Sequence, residues 1–193
     1  IRDHCVAGVQ TCALPILGRS LGVDGRTVGR YLDLLVDLLL VRRLAPFRAN
    51  VGKRLVRAPK LLVRDSGLVH SLLGLGDADA VLGHPVAGAS WEGFVIESLL
   101  SLAPPDCRGW FYRTAAGAEI DLLLEWPDGR LWAIEVKRSL SPRLGKGFHQ
   151  ARADLQPQRS FVVIPAESGY PLAPGVEAVG LAELAALVAQ SAG

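Results

Sequence analysis

The segment AEIDLLLEWPDGRLWAIEVKRS, residues 118–139, constrains the fold more than any other part of the chain. Its centre, Pro127-Asp128-Gly129, suits a three-residue hairpin loop in which a glycine in the left-handed conformation closes a type I turn. Such a loop pairs Trp126 with Arg130, so the numbers of paired residues sum to 256. The segment therefore predicts a β-hairpin with one fixed register.

This register gathers charged side chains on one face of the hairpin, at its open end. Asp121 lies opposite Glu135, and Glu119 lies opposite Lys137 as in an ordinary cross-strand ion pair. Like charges directly opposite each other destabilise a sheet. Asp121 and Glu135 therefore predict a divalent cation between them, or else a carboxylate that turns to solvent or is neutralised by an arginine. The alternate positions are all apolar and predict a buried face: Ile120, Leu122, Leu124, Trp132, Ile134 and Val136.

A third carboxylate, Glu92, falls on the apolar side of a helix predicted over residues 88–103. Glu97 falls on the polar side, where a solvated charge belongs. A carboxylate within a buried face needs a cation, a metal or a proton. We therefore expect Glu92 to be a further acidic arm beside the Asp121 and Glu135 pair. The apolar arc around it consists of Trp91, Phe94, Val95, Ile96, Leu99 and Leu102.

Residues 16–74 have the pattern of a helix-turn-helix followed by a basic strand pair. Asp24 suits the N-cap of a helix over about residues 25–40. Residues 42–64 then carry eight basic side chains and no acidic one. This order predicts a winged-helix module. The apolar arc of the second helix consists of Val28, Tyr31, Leu32, Leu35, Leu38 and Leu39.

The predicted winged helix has two functional interpretations. Winged helices bind DNA through a recognition helix and a basic wing, but they also serve as protein-interaction modules. Asp33 and Asp37 on the exposed side of the helix would repel phosphate. The residues predicted to contact DNA are Arg26, Arg30, Lys53, Arg54 and Arg57.

Charge and composition narrow the class of protein. Residues 1–70 carry twelve basic and five acidic side chains, whereas residues 71–193 carry nine and fourteen, which suggests two modules. Half of the residues are apolar, so disorder and a disulfide scaffold are excluded. No apolar run approaches the ~18 residues that span a bilayer. Three cysteines without paired spacing favour the cytoplasm.

The chain divides into four predicted parts. Residues 1–15 fit no pattern and are expected to be a non-native or disordered leader. A winged helix follows over 16–74, a linker over 75–87 and a mixed α/β domain over 88–193. The sequence lacks methionine and begins with Ile1, so we expect an internal piece of a longer protein.

The acidic hairpin resembles the restriction-endonuclease-like nucleases of the PD-(D/E)xK superfamily. Asp121 followed by Glu135-Val136-Lys137 matches the D…E-x-K signature, and Glu92 matches an acidic residue on the first core helix. The resemblance implies a mixed central sheet and Mg²⁺- or Mn²⁺-assisted phosphodiester hydrolysis. Asp121, Glu135 and Glu92 would bind the metal, and Lys137 would stabilise developing negative charge.

The chain also resembles the C-terminal half of prokaryotic AAA-type ATPases, a region classified as domain of unknown function 4143. Markers of that region include Trp91-Glu92-Gly93-Phe94, Tyr112-Arg113-Thr114 and Ile134-Glu135-Val136-Lys137. The resemblance implies a P-loop ATPase domain before the winged helix. The signature G-x-x-x-x-G-K-[ST] occurs nowhere in this sequence, so that domain and its ATP site are absent from the fragment.

Two functions follow from these resemblances. In the first, the chain carries a DNA-binding winged helix and a metal-dependent nuclease domain. In the second, it is a catalytically inactive regulatory tail that binds DNA or protein. The first implies nucleic acid as a partner, DNA rather than RNA, and the second implies DNA or a protein. Both imply the missing ATPase domain of the same polypeptide, an oligomer formed through that ATPase, and no membrane.

Overall fold

The computed structural model describes residues 9–10, 13–48 and 52–191, with side chains from Leu17 onward. The chain forms two compact units. The first contains residues 1–44 and 58–94, and the second contains residues 45–57 and 95–193.

The first unit combines short helices with a small antiparallel sheet. Its strands lie in the order β1-β3-β2. The last helix, α5, continues into the second unit from Val95 onward. In chain order the elements are β1 (Val9–Gln10), α1 (Ala13–Leu21), α2 (Gly25–Asp37), β2 (Val41–Leu44), β3 (Lys60–Val63), α3 (Ser66–Leu72), α4 (Ala78–Gly83) and α5 (Ala87–Leu102).

Helix α2 begins where the sequence predicts and ends earlier. The Asp24 carboxylate caps it by accepting a hydrogen bond from the Thr27 N–H at 2.6 Å. The helix stops at Asp37 rather than near residue 40, because Leu39 takes a left-handed conformation with φ of 59°. Of its predicted apolar arc only Val28 is buried. The small sheet and α1 cover one side of α2 and leave the rest of the arc half-buried or exposed.

The second unit is a mixed six-stranded sheet with helices. The strand order is β4-β5-β6-β7-β9-β8. Pairing is antiparallel among the first three strands, parallel from β6 to β7 to β9, and antiparallel between β9 and β8. Besides the end of α5, its elements are β4 (Arg108–Arg113), β5 (Glu119–Glu125), β6 (Leu131–Val136), α6 (Lys146–Leu155), β7 (Arg159–Ile164), β8 (Tyr170–Ala173), β9 (Val176–Gly180) and α7 (Leu181–Gln190). Strand β8 has no counterpart in the sequence prediction.

The predicted hairpin register is confirmed. Leu122 pairs with Ile134 and Leu124 pairs with Trp132, as the sum of 256 requires. The loop closes with a hydrogen bond from the Trp126 N–H to the Arg130 carbonyl at 2.9 Å. Gly129 takes φ of 84°, the left-handed conformation that the turn demands. All six apolar positions of the predicted face are buried.

The basic segment 42–64 does not form a continuous wing. Strands β2 and β3 pair only over residues 41–44 and 60–63, and residues 45–57 belong to the second unit. There the Phe47 N–H donates to the Phe111 carbonyl, and the Val56 N–H donates to the Arg113 carbonyl. The outer edge of β4 therefore has backbone partners, which protects an otherwise exposed sheet edge.

The other predicted boundaries also differ from the structure. The linker predicted over residues 75–87 contains α4, which Asp77 caps by accepting from the Ala80 N–H. Most of the predicted leader, residues 1–15, lies outside the described residues, but β1 within it pairs with β3. The charge division is different as well. By structural unit, the first carries eight basic and eight acidic side chains, and the second carries thirteen and eleven.

One polar network ties residues 45–57 to the core of the second unit. The Asp154 carboxylate on α6 accepts from Lys53 Nζ at 2.5 Å, from the Tyr112 hydroxyl at 2.8 Å and from Gln150 Nε2 at 3.0 Å. Tyr112 is fully buried. Burial alone would raise the pKa of Asp154, but the three hydrogen bonds outweigh it and lower that pKa. The carboxylate is therefore charged and satisfied at neutral pH.

We predict that Asp154→Ala destabilises the second unit by about 2–4 kcal/mol. The substitution leaves the buried Tyr112 hydroxyl without its acceptor and removes the partner of Lys53. Glu177→Ala is the matched control, because Glu177 accepts from Arg159 at the exposed surface of the same unit. The control should change the free energy of unfolding by about 1 kcal/mol or less. Urea denaturation followed by tryptophan fluorescence measures both. Equal losses would show that the network contributes no more than a surface ion pair.

Candidate metal centre

The structure brings two carboxylates together where β5 and β6 leave their common ladder. That ladder ends at Leu122 and Ile134, one residue before Asp121 and Glu135. Beyond it the Val136 N–H donates to Asp121 Oδ2 at 2.9 Å, so a side-chain oxygen takes the place of a backbone acceptor. Asp121 and Glu135 are each 9% exposed. Neither carboxylate turns to solvent, in contrast to one of the alternatives left open by the sequence.

The two oxygens of Glu135 have different surroundings. Oε1 accepts from Lys137 Nζ at 2.6 Å. Oε2 is buried and has no hydrogen-bond partner among the described residues. The other buried side-chain atoms in this condition are the indole nitrogens of Trp126 and Trp132. Glu135 is therefore the ionisable side chain that carries an unsatisfied buried atom in the described part of the chain.

The surroundings of Glu135 favour its neutral form. Burial raises its pKa, the Asp121 carboxylate raises it further, and the hydrogen bond from Lys137 lowers it. The net result is a pKa of about 7 in place of the ordinary 4.5. A perturbed carboxyl of this kind, buried beside a like charge, is a feature of functional sites. The site can hold a proton or a cation near neutral pH.

The basic side chains at this end of the hairpin pair differently from the prediction. The expected cross-strand ion pair of Glu119 with Lys137 is replaced by two other pairs. Glu119 lies 3.1 Å from Arg113 on β4, and Lys137, directly after β6, lies against Glu135 on that strand. Lys137 is thereby brought to the carboxylate that needs a positive charge most.

Glu92 is held in the first unit by a cation that the sequence analysis did not identify. Its Oε1 lies 2.5 Å from Nζ of the buried Lys60 on β3. This ion pair meets the predicted need of Glu92 for a compensating charge. Lys60 precedes the apolar run Leu61-Leu62-Val63, and a lone lysine at the head of a buried strand is the signal that would have identified it. Across residues 9–10, 13–48 and 52–191, no group of three or more His, Cys, Asp or Glu side chains is positioned to hold a metal ion.

The Asp121 and Glu135 pair nevertheless has the chemistry that Mg²⁺ or Mn²⁺ requires. Both are hard oxygen donors, and Mg²⁺ is usually bound by one or two carboxylates while it keeps several waters. Glu135 Oε2 is available as a metal ligand, because it has no hydrogen-bond partner among the described residues. A cation there would also remove the repulsion that raises the pKa of Glu135. These two residues of the second unit therefore fit a divalent cation.

The residues predicted to bind nucleic acid are divided between the two units. Arg26 and Arg30 are exposed on α2 in the first unit. Lys53, Arg54 and Arg57 belong to the second unit, where Lys53 pairs with Asp154. Arg54 and Arg57 are exposed. No helix within the described ranges is long and apolar enough to cross a membrane.

Comparison with known proteins gives two family matches and two curated relatives. The domain of unknown function DUF8612 matches residues 7–79, and the domain of unknown function DUF4143 matches residues 87–184. The chain is 45% identical over 163 residues to the uncharacterized protein Mb2031c of Mycobacterium bovis and, to the same extent, to the uncharacterized protein Rv2008c of Mycobacterium tuberculosis.

The extent of these matches determines what they establish. They cover 84% of this chain and 36% of each relative, so the chain spans about a third of the length of the curated relatives it matches. No solved structure matches the chain significantly. The DUF4143 match covers half of the chain, including the whole β5–β6 hairpin. The chain therefore belongs to the family defined by the domain of unknown function DUF4143.

Proposed function

We propose that the second unit is a Mg²⁺-dependent phosphodiesterase module of the restriction-endonuclease-like kind. The observation that carries the proposal is the buried Oε2 of Glu135, which lies in the field of the Asp121 carboxylate and has no partner among the described residues. The mixed sheet, with Asp121 and Glu135 on adjacent central strands, supports the same proposal.

A cation explains this arrangement better than a proton does. A proton on Oε2 would need an acceptor, yet no hydrogen-bond partner of either kind is present there in the described chain. Lys137 satisfies only Oε1. A divalent cation would satisfy Oε2 and offset the repulsion from Asp121 at the same time. The proposal therefore accounts for both unfavourable features with one ligand.

Each residue of the site has a separate role in the proposed hydrolysis. Asp121 and Glu135 would hold Mg²⁺, which would supply an activated water and offset charge on the phosphoryl group. The Val136 N–H fixes the orientation of Asp121 through Oδ2. The ammonium group of Lys137, whose side chain reaches solvent, is the group that contacts a phosphate oxygen.

The charge of the second unit supports a polyanionic substrate. It carries thirteen basic and eleven acidic side chains once residues 45–57 are included. Arg54 and Arg57 are exposed in that segment and are the side chains that we propose contact the nucleic-acid backbone. DNA is the proposed substrate, in keeping with the resemblance to DNA-cleaving nucleases.

We further propose that the chain is the C-terminal part of a cytoplasmic AAA-type ATP-binding protein. The curated relatives are much longer than the matched region, which leaves room for a further domain. The first unit is proposed to be a winged-helix module, because α1, α2 and the β2–β3 pair follow in the order of that fold. ATP would bind only through the domain that this sequence lacks.

A second candidate function is a regulatory tail without catalysis. The observation that favours it is the ion pair of Glu92 with Lys60, which occupies the acidic residue that many such nucleases carry on their first helix. The absence of a three-residue metal group among the described residues points the same way. In this candidate the Asp121 and Glu135 pair is a remnant that holds a proton.

We predict that Mg²⁺ or Mn²⁺ raises the melting temperature of the protein and that Asp121→Asn abolishes the rise. At a cation concentration of ~100 times Kd the stabilisation is about 2.7 kcal/mol, a shift of several degrees for this chain length. Glu125→Gln is the matched control, because Glu125 lies on the same strand at the closed end of the hairpin. It should leave the shift intact. If cations leave the melting temperature of the unmodified protein unchanged, the site holds no metal.

We predict a pH dependence of stability in metal-free buffer that Glu135→Gln removes. The folded-state pKa of Glu135 is about 7 and its ordinary value is 4.5, so the folded state binds the proton more tightly. The contribution of Glu135 to stability therefore falls as pH rises from about 4.5 to 7, by on the order of 3 kcal/mol. Below this window the variant should match the unmodified protein, and above it the variant should be more stable. Urea titrations at several pH values measure the difference, and a difference that does not vary with pH would contradict the assignment.

We predict that the protein cleaves DNA in the presence of Mg²⁺ or Mn²⁺. Supercoiled plasmid and short single- and double-stranded oligonucleotides are the substrates to compare. Asp121→Asn should abolish cleavage, and Lys137→Ala should lower the rate about 10²–10³-fold by removing a charge that stabilises the transition state. Arg143→Ala removes an exposed charge that the proposal does not use and serves as the control. Cation binding without cleavage of any of these substrates would favour the regulatory tail.

A further inference from the structure

Helix α2 presents a continuous apolar stripe to solvent. The stripe consists of Tyr31 and Leu34 in the helix and of Leu38 at its C-cap, and these side chains are 60%, 51% and 58% exposed. Their spacing of three and four residues places them on one side of the helix. It is also the spacing of the a and d positions in helices that pair with another helix. An exposed apolar patch of this kind marks an interaction surface.

Leu39, directly after the helix, gives a second and independent indication. It adopts φ of 59°, a conformation that is costly for leucine and natural for glycine. Its N–H donates to the Val36 carbonyl, and the Leu40 N–H donates to the Leu35 carbonyl. This is the Schellman pattern, in which glycine usually occupies the left-handed position. The Leu39 side chain is 67% exposed, so little burial within the described chain offsets the cost of this conformation.

The charges beside the stripe identify what covers it. With Tyr31 and Leu38 at a positions and Leu34 at d, Arg30 and Asp37 both fall at g. Two helices packed antiparallel bring g positions of one against g positions of the other. An antiparallel pair of α2 helices therefore sets Arg30 of each copy against Asp37 of the other. Neither Arg30 nor Asp37 takes part in an ion pair within the described part of the chain.

We propose that the α2 stripe is the contact surface of a two-fold symmetric homodimer, formed by antiparallel packing of α2 against α2 of a second copy. A two-fold interface must be self-complementary, and a helix with a positive g position in one half and a negative one in the other satisfies this condition. A parallel arrangement would oppose like charges. The area of one helix face is at the small end of specific interfaces, and we expect a weak dimer that is populated at micromolar concentrations.

Nucleic acid fits this surface less well. The stripe next to Arg30 consists of leucine and tyrosine side chains, and Asp37 flanks it with negative charge. Phosphate contacts come from basic and polar groups, so three exposed apolar side chains in a row gain nothing from the DNA backbone. A second copy of the chain buries them and pairs both charges.

Charge exchange across the interface tests the proposal. Arg30→Asp and Asp37→Arg should each weaken the dimer at least tenfold, because each sets like charges against each other twice. The double variant should restore the dimer. An equimolar mixture of the two single variants should form a heterodimer, since all pairs are then opposite in sign. Sedimentation velocity across micromolar concentrations measures these states, and Arg143→Asp in the other unit is the control for an unrelated charge reversal.

Two apolar substitutions distinguish the interface from a structural role. Leu34→Asp should abolish dimerisation without lowering the melting temperature of the monomer, because the side chain is exposed. Leu39→Gly should raise the melting temperature of the dilute monomer by about 2–4 °C, since it relieves the left-handed strain. The same substitution should weaken the dimer. A Leu39→Gly variant that melts higher and dimerises as before would exclude Leu39 from the interface.

Three outcomes overturn the proposal. The first is an unmodified chain that sediments as a monomer throughout the concentration range. The second is a double charge variant that does not restore the dimer. The third is a labelled DNA duplex that binds the monomeric chain and loses affinity with Arg30→Asp. The last result would assign α2 to nucleic acid. Dimerisation is measured without metal or substrate, so these results are independent of the proposed nuclease activity.

Discussion

The burial of two like charges on adjacent central strands is the constraint on which the site depends. Strands β5 and β6 lie in the interior of the six-stranded sheet, and Asp121 and Glu135 are each only 9% exposed. A shift of the β5–β6 register by one residue would relieve the repulsion between the two carboxylates, but it would also move the apolar face of the hairpin out of the core. The fold therefore keeps the two carboxylates together, and the repulsion must be met by a ligand, a proton or Lys137.

The hairpin could be predicted because everything that determines it is local. A three-residue loop fixes the register, and alternation fixes the faces, so the pairing of Leu122 with Ile134 follows from the sequence without knowledge of the rest of the fold. The fate of Glu92 could be predicted only in part. The helical pattern indicates that it needs a compensating charge, but the partner, Lys60, is 32 residues away and belongs to another element. Helical periodicity shows that the Glu92 carboxylate needs a compensating charge, but it does not identify the residue that supplies it.

The predictions that failed rest on properties that only tertiary structure decides. Residues 45–57 have the basic composition of a wing, yet their backbone groups bond to β4, a strand that comes fifty residues later. Composition gives no information on which sheet edge will accept such a segment. The arc of α2 was expected to pack because its periodicity is that of a buried helix. Periodicity reports that an apolar face exists, and the small sheet of the first unit is too narrow to cover it.

Residues 45–57 change the net charge of the second unit as well as the hydrogen bonding at the β4 edge of its sheet. Cutting the chain at the boundary that the sequence suggests, near residue 88, would remove the partners of β4 and the Lys53 that satisfies Asp154. It would also leave nine basic and twelve acidic side chains in residues 88–193, whereas residues 45–57 contain four basic side chains and no acidic one. A surface that must approach phosphate needs a positive surplus. The segment that completes the edge of the α/β sheet therefore also supplies four of the thirteen basic side chains of the second unit, a charge that favours the nucleic-acid contact proposed above.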